Sequence, residues 1–243
     1  MENKIVLITG GSKGIGLEAV RRFSAKGYAV ITCSRNYENW HQAVATYPEL
    51  SAVDYQEVDI SDREQVAIFF DYIKNNYGYL SISVNNASPK IESQGAYAEV
   101  SIDSLFSTVI SDFWAHALCL HYELNITEKG GSIVNISSVS GLRPTPDASM
   151  YSAAKHGIEG LTHSVALEAI KKEIRVNSVA PGVTWTPRWQ QRMTDENFDL
   201  KEKVENSIPM KRFATPEEIV NAIEWLSSEQ ASYVIGHTLV IDG

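Results

Sequence analysis

Tyr151 and Lys155, in Tyr151-Ser152-Ala153-Ala154-Lys155, are the pair in this sequence best suited to chemistry. Residues at i and i+4 of a helix project from one face, one turn apart. An ammonium that close to a phenol favours the phenolate and eases removal of the hydroxyl proton. A phenol tuned in this way is a suitable acid or base for a carbonyl/alcohol pair. Ser138 precedes Tyr151 by thirteen residues and follows the apolar run Ile133-Val134-Asn135-Ile136-Ser137. Its hydroxyl can hold the oxygen that the phenol protonates. A Tyr-x-x-x-Lys by itself is usually an exposed helix turn, so its meaning depends on what accompanies it.

A second cluster is Thr9-Gly10-Gly11-Ser12-Lys13-Gly14-Ile15-Gly16, between the β-branched run Lys4–Thr9 and the helical stretch Leu17–Ala25. A strand, a tight glycine turn and a helix N-terminus form an anion site, because backbone N–H groups and the helix dipole face a pyrophosphate there. The spacing is Gly-x-x-x-Gly-x-Gly, a loose match to the commoner Gly-x-Gly-x-x-Gly. The same residues read as Gly-x-Ser-x-Gly, the nucleophile elbow of a hydrolase, with His237 late in the chain. Such elbows follow strands that supply an oxyanion donor, whereas only eight residues precede Thr9, so this is the weaker reading.

These groups need a scaffold, and short β-branched runs alternate with helical stretches along the chain. The strand expectations are Lys4–Thr9, Ala29–Ser34, Ala52–Val58, Leu80–Val84, Ser132–Ser137, Arg175–Ala180 and Thr238–Ile241. Several are apolar at consecutive positions, as in strands covered on both faces. Ser61-Asp62-Arg63-Glu64 opens a helix ending near Tyr77-Gly78, and Thr215-Pro216-Glu217-Glu218 opens one ending near Ser227. The rhythm predicts an α/β, Rossmann-like, doubly wound fold with a parallel sheet and right-handed crossovers. One domain spanning 1–243 is expected, with a substrate-lid insertion at about 186–211, which is rich in Trp, Arg, Met and Asn.

Composition excludes other classes. Lys and Arg total 21 against 30 Asp and Glu, a net charge of -9, which argues against a nucleic-acid partner. No apolar run approaches the roughly 20 residues of a membrane span. Cys33 and Cys119 form neither a disulfide framework nor a metal knuckle, and the histidines lack ligand spacing. No metal is expected, and a cytoplasmic location is.

Together, in this order, the glycine loop, Ser138, Tyr151 and Lys155 resemble the short-chain dehydrogenase/reductase family, and the resemblance covers the whole chain. Thr9–Gly16 looks like the family's cofactor loop, with Gly10, Ser12, Lys13, Gly14, Ile15 and Gly16 as its contacts, and Asp59 looks like its adenine contact. Asn85-Asn86-Ala87 resembles the segment steadying the sheet beside the cofactor. Asn177–Gly182, with Pro181 and Gly182 at its end, resembles the late strand and turn, and Thr186 stands at the nicotinamide side. The resemblance implies a seven-stranded sheet and a homo-oligomer, tetramer or dimer. It implies Tyr151 as general acid/base and Ser138 as donor to the carbonyl oxygen. Lys155 would lower the Tyr pKa and hold the nicotinamide ribose.

The activity implied is carbonyl/secondary-alcohol oxidoreduction of a small molecule; a dinucleotide-binding sensor on the same fold is the alternative. The end of the second strand reads Thr32-Cys33-Ser34-Arg35-Asn36, with no acid before Glu38. A carboxylate there would repel a 2′-phosphate, whereas Arg35 and Lys13 would bind one. NADP(H) is therefore preferred, with NAD(H) as the weaker option. Two positions depart from the family pattern: Ser88 stands where a glycine is usual, and the usual Asn of the following helix is absent. Aligning Leu105–His116 puts Asp112 at that place as a proton relay, or Phe113 if the register moves by one. Lys90, Arg143 and Arg188 flank the expected cleft as solvated groups or as receivers of an anionic substrate. Trp185 and Trp189 either form a lid or pack it down.

Overall fold

The computed structural model describes residues 4–193 and 198–243. Its seven strands are β1 (Ile5–Thr9), β2 (Ala29–Ser34), β3 (Asp54–Glu57), β4 (Leu80–Asn85), β5 (Thr127–Ile136), β6 (Arg175–Pro181) and β7 (Thr238–Ile241). They form one parallel sheet in the order β3-β2-β1-β4-β5-β6-β7. All five residues of β1 are buried, and its apolar side chains alternate between two cores. Val6 and Ile8 pack towards α1 (Gly14–Ala25), α2 (Tyr37–Thr46) and α9 (Pro216–Ser227). Ile5 and Leu7 pack towards α3 (Arg63–Tyr77) and α5 (Ala115–Ile126). Covering both faces is why the run is apolar at consecutive positions. Truncating a side chain such as Leu7 to Ala in this core costs about 2–5 kcal/mol.

Two strand boundaries lie two or more residues from the sequence reading, for local reasons, and the others that differ do so by one residue. β3 starts at Asp54, because Pro48–Ala52 closes into a 3-10 turn with proline at its start. β5 starts at Thr127 rather than Ser132, through a polar Thr-Glu-Lys-Gly-Gly stretch that hydropathy alone does not mark. Gly130, at φ +84, accommodates the register irregularity there, where pairing passes from Leu80↔Thr127 to Ile82↔Ser132.

Strand order reverses between β1 and β4, which opens a crevice at the carboxyl ends of the strands. The glycine turn, Asn86, Ser138 and Gly182 follow β1, β4, β5 and β6, so the parallel sheet gathers them at one edge. α6 (Ser149–Ala169) brings Tyr151 and Lys155 to the same edge. Ahead of α5, α4 (Ile102–Val109) runs into a π turn at Ile110–Trp114. α7 (Pro187–Gln190) and α8 (Phe198–Ser207) occupy the expected insertion, of which 194–197 lie outside the described residues. Among the described residues no helix is long and apolar enough to cross a membrane.

Candidate active site

The turn after β1 is folded by its glycines. Gly10 (φ +72) and Gly14 (φ +57) occupy conformations that side chains disfavour. A Cβ at Gly10 would stand 2.7 Å from Ala87 Cα, and one at Gly16 would stand 2.2 Å from Gly10 O. Asn86 closes the turn from β4: its Nδ2 donates to Thr9 O (3.1 Å) and Gly10 O (3.2 Å). The N–H groups of Asn86 and Ala87 donate to Thr9 Oγ1 at 3.0 and 3.2 Å. At the N-terminus of α1, Lys13 makes no side-chain cap hydrogen bond. The first-turn N–H groups are therefore left for an anion, which fits a bound pyrophosphate.

A cavity of about 440 Å³ runs along this edge, and Gly10, Ser12, Lys13, Gly14 and Ile15 line one end. Gly16 does not line it; it lets α1 pack against the turn. Arg35 and Lys13 are exposed at the rim, and neither makes an ion pair among the described residues. Asp59 lines the wall, its Oδ1 accepting from Ser61 N–H (2.9 Å) and Oγ–H (2.6 Å). Asn86, Ala87, Pro181, Gly182 and Thr186 also line it, together with Ser138, Tyr151 and Lys155.

Ser138 opens a 3-10 turn, Val139–Gly141, and its Oγ accepts from Ser140 N–H at 3.1 Å. Gly141 brings that turn against α6: a Cβ there would lie 2.8 Å from Lys155 O. Tyr151 is 8 % exposed, and Lys155 Nζ lies 5.7 Å from its ring centroid. Lys155 Nζ donates to Ile136 O at 3.2 Å and faces Asp112 Oδ1 at 3.8 Å. Lys155 and Asp112 are each 1 % exposed, so each charge depends on the other for compensation.

The register question in 105–116 is decided by the π turn. Asp112 faces Lys155, while the Phe113 ring lies over Gly157, where a Cβ would come within 2.9 Å of Phe113 Cδ2. Asp112 sits behind Lys155 and does not line the cavity. Its Oδ1 accepts from Ser88 Oγ–H at 2.6 Å, and its Oδ2 lies 3.4 Å from Ser111 Oγ. One turn on, His116 Nε2–H donates to Ala87 O at 2.7 Å. Burial, reinforced by the Lys155 charge, pulls the His116 imidazole down to about 3, so it is neutral at physiological pH.

On the substrate side the structure separates the three basic residues. Arg143 pairs with Asp242 at 2.7 Å, and Arg188 is bound to loop oxygens of Ser88 and Pro89. Lys90 lines the cavity and makes no ion pair among the described residues. Trp185 and Trp189 pack edge-on against Phe213, at 5.0 and 5.4 Å between centroids, and fasten the start of the segment after β6 to Phe213. Trp189 also lines the cavity. The hydrolase arrangement is not assembled: His237 precedes β7 and Ser12 follows β1, at opposite ends of a parallel sheet. Sequence reasoning missed the roles of Thr9 Oγ1 and Gly141. A hydroxyl ending β1 and a glycine three residues after Ser138 were the available signals.

Known proteins share this architecture over the whole chain. A family model described as "Enoyl-(Acyl carrier protein) reductase" matches residues 10–243. The chain is 33% identical to the 3-oxoacyl-[acyl-carrier-protein] reductase FabG of Thermotoga maritima, covering 100% of this chain and 98% of the relative. It is 30% identical to a 3beta-hydroxysteroid dehydrogenase of Mediterraneibacter gnavus, covering 100% and 94%. The solved structure "ElxO with NADP Bound" superposes with a TM-score of 0.91 at 30% identity, covering 99% of this chain and 98% of that one.

Proposed function

Because this chain belongs to the short-chain dehydrogenase/reductase family, we propose that it is an NADP(H)-dependent oxidoreductase interconverting a carbonyl and a secondary alcohol, with NADPH-dependent reduction favoured. The observation that carries this reading is one cavity lined both by an uncapped helix N-terminus with two cations that make no ion pair among the described residues, and by Ser138, Tyr151 and Lys155. The N-terminus of α1 would hold the pyrophosphate, and Arg35 with Lys13 a 2′-phosphate. The relatives' NADP-bound structures support the same choice. The bound nicotinamide supplies the hydride.

The protein's part is binding and proton transfer. Ser138 and Tyr151 hydroxyls donate to the substrate oxygen, and Tyr151 delivers its proton as that oxygen becomes an alcohol. The Lys155 charge stabilises the phenolate that results, and Asp112 holds Lys155 from behind. Asp112 is proposed to take the place of the relay Asn beside Lys155, its Oδ1 3.8 Å from the ammonium. Substrate enters beside Lys90 and Trp189.

The reading extends to one domain over 1–243, a reducing cytoplasm that suits two buried free thiols, and a homo-oligomer, dimer or tetramer. Ile102 (82 % exposed) and Phe106 (66 % exposed) form an apolar stripe on α4, continued by exposed Trp114. β7 ends the sheet, with Val240, Tyr233 and Ile235 exposed around it. Faces of this kind mark interaction surfaces, which a second copy of the chain would cover.

The test is NADPH oxidation by the purified protein with a panel of ketones, quinones and β-ketoacyl thioesters. Turnover of at least one class is expected, faster with NADPH than NADH. Tight NADPH binding without turnover of any class would identify a binding protein instead, and equal kcat/KM for both cofactors would remove the preference.

A further inference from the structure

The two positions at which the sequence departs from its family's pattern are bonded to each other. Ser88 Oγ–H donates to Asp112 Oδ1 at 2.6 Å, linking the loop after β4 to the π turn. Arg188 of α7 completes the arrangement. Its Nη2 donates to Ser88 O at 2.7 Å, to Pro89 O at 2.6 Å and to Ser88 Oγ at 3.0 Å. A serine hydroxyl has one proton and two lone pairs. With Arg188 donating to the oxygen, the proton is directed at Asp112, and Asp112 in turn faces Lys155 at 3.8 Å. A continuous polar path therefore joins the lid helix to the ammonium beside Tyr151.

Resting on the oxidoreductase reading above, we propose that Arg188 and Ser88 are positioning residues that couple the seating of lid helix α7 to Lys155 through Asp112. The groups against Asp112 are Lys155 from α6, Ser88 from the β4 loop and Ser111 from its own turn, and His116 of α5 lies close enough to Lys155 to feel its charge. His116 is neutral, so Lys155 is the charge that answers Asp112 there. When α7 is seated, the guanidinium orients the Ser88 proton, and Asp112 is held as a counter-ion for Lys155. When α7 lifts, Ser88 is free to rotate and Asp112 loses its short donor. The buried pair then reorganises, and the phenol feels a different field. Arg188 suits this role because its Nη2 amino group alone reaches three oxygens of the loop after β4.

The experiment compares the NADPH complexes of wild type, Ser88→Ala, Ser88→Thr, Arg188→Gln and the double variant Ser88→Ala/Arg188→Gln. Two readouts are taken: steady-state kinetics with a carbonyl substrate, and the Tyr151 Cζ resonance in protein made with carbon-13-labelled tyrosine. Ser88→Ala and Arg188→Gln are each expected to lower kcat about fivefold or more while the NADPH Kd stays within about twofold, and the double variant to be no worse than the poorer single, as for residues acting through one path. Ser88→Thr should restore kcat. The Cζ resonance should move in the same direction in both single variants. An unmoved resonance in either single variant, or single effects that multiply in the double, overturns the coupling. A wild type that reduces no carbonyl overturns the oxidoreductase reading instead, and the resonance comparison still decides the coupling.

Discussion

Tyr151 carries the proton in the proposed reaction, and its place is defined by neighbours from three elements: Ser138 after β5, Lys155 one helical turn on, and the glycine turn across the cavity. Tyr151→Phe keeps the ring and its packing but removes the acid. NADPH binding should survive, while kcat falls by roughly two to four orders of magnitude, the scale of general acid/base loss. Retention of more than a tenth of wild-type turnover would reject the assignment. Cofactor choice is likewise a matter of single residues. Arg35 and Lys13 offer two cations at the rim, without ion pairs among the described residues, in a chain whose net charge is -9. Arg35→Asp should therefore weaken NADPH binding far more than NADH binding, measured as the ratio of the two dissociation constants. A ratio equal to the wild type's would show that the 2′-phosphate is held elsewhere.

Elements decide which of these residues meet. The π turn at Ile110–Trp114 widens the helix by a residue, so Asp112 reaches Lys155 while Phe113 packs on Gly157. Asp112→Asn keeps an acceptor for Lys155 and should retain turnover while changing the pH–rate profile. Asp112→Leu strands a buried ammonium, and should cut turnover and cost about 3–5 kcal/mol of stability. Identical pH–rate curves in wild type and both variants would remove Asp112 from the relay. Further along α5, Glu123 is fully buried and accepts from Asn85 Nδ2 at 2.7 Å. Asn85 continues to Asn135 Oδ1 (3.1 Å), and Asn135 to Thr162 Oγ1 (2.9 Å), tying two strands to the helices above them. Burial lifts the Glu123 carboxyl from 4.5 to about 8, offset in part by the Asn85 hydrogen bond. The native state thus holds this proton more tightly than the unfolded chain. Its contribution to stability is complete below pH 4.5 and is lost as pH rises through about 8. Between those limits the loss is on the order of 1.4 kcal/mol for every step of one in pH. Glu123→Gln should lack this loss, so its Tm advantage over wild type should grow from acid to mildly alkaline pH. A constant Tm difference across that range would show that Glu123 ionises freely.

At the scale of the molecule, parallel strand order puts every site loop on one edge and leaves two apolar surfaces outward, the α4 stripe and the β7 edge. Ile102→Glu together with Phe106→Glu should lower the molar mass in solution by at least half, as read by sedimentation. Turnover should then fall through looser helices rather than loss of a catalytic group. An unchanged mass would place the interface elsewhere or make the protein a monomer.

Much of this was legible from sequence because it depends on neighbours in the chain. Consecutive apolar positions mark strands covered on both faces, glycines mark a turn with positive φ, and four-residue spacing puts Tyr151 and Lys155 on one face. The polar start of β5 was hidden because its residues pair through backbone groups, which hydropathy does not report. The register that chose Asp112 over Phe113 came from a helical irregularity without a local signature. Arg143 and Arg188 read alike as free cations, and only tertiary contacts with Asp242 and with Ser88 and Pro89 showed both to be engaged. Arg188 and Ser88 stand 100 residues apart. Local spacing determined which chemistry the chain carries; folding of distant segments decided which charges are paired, because a charge finds its partner in space and not along the chain.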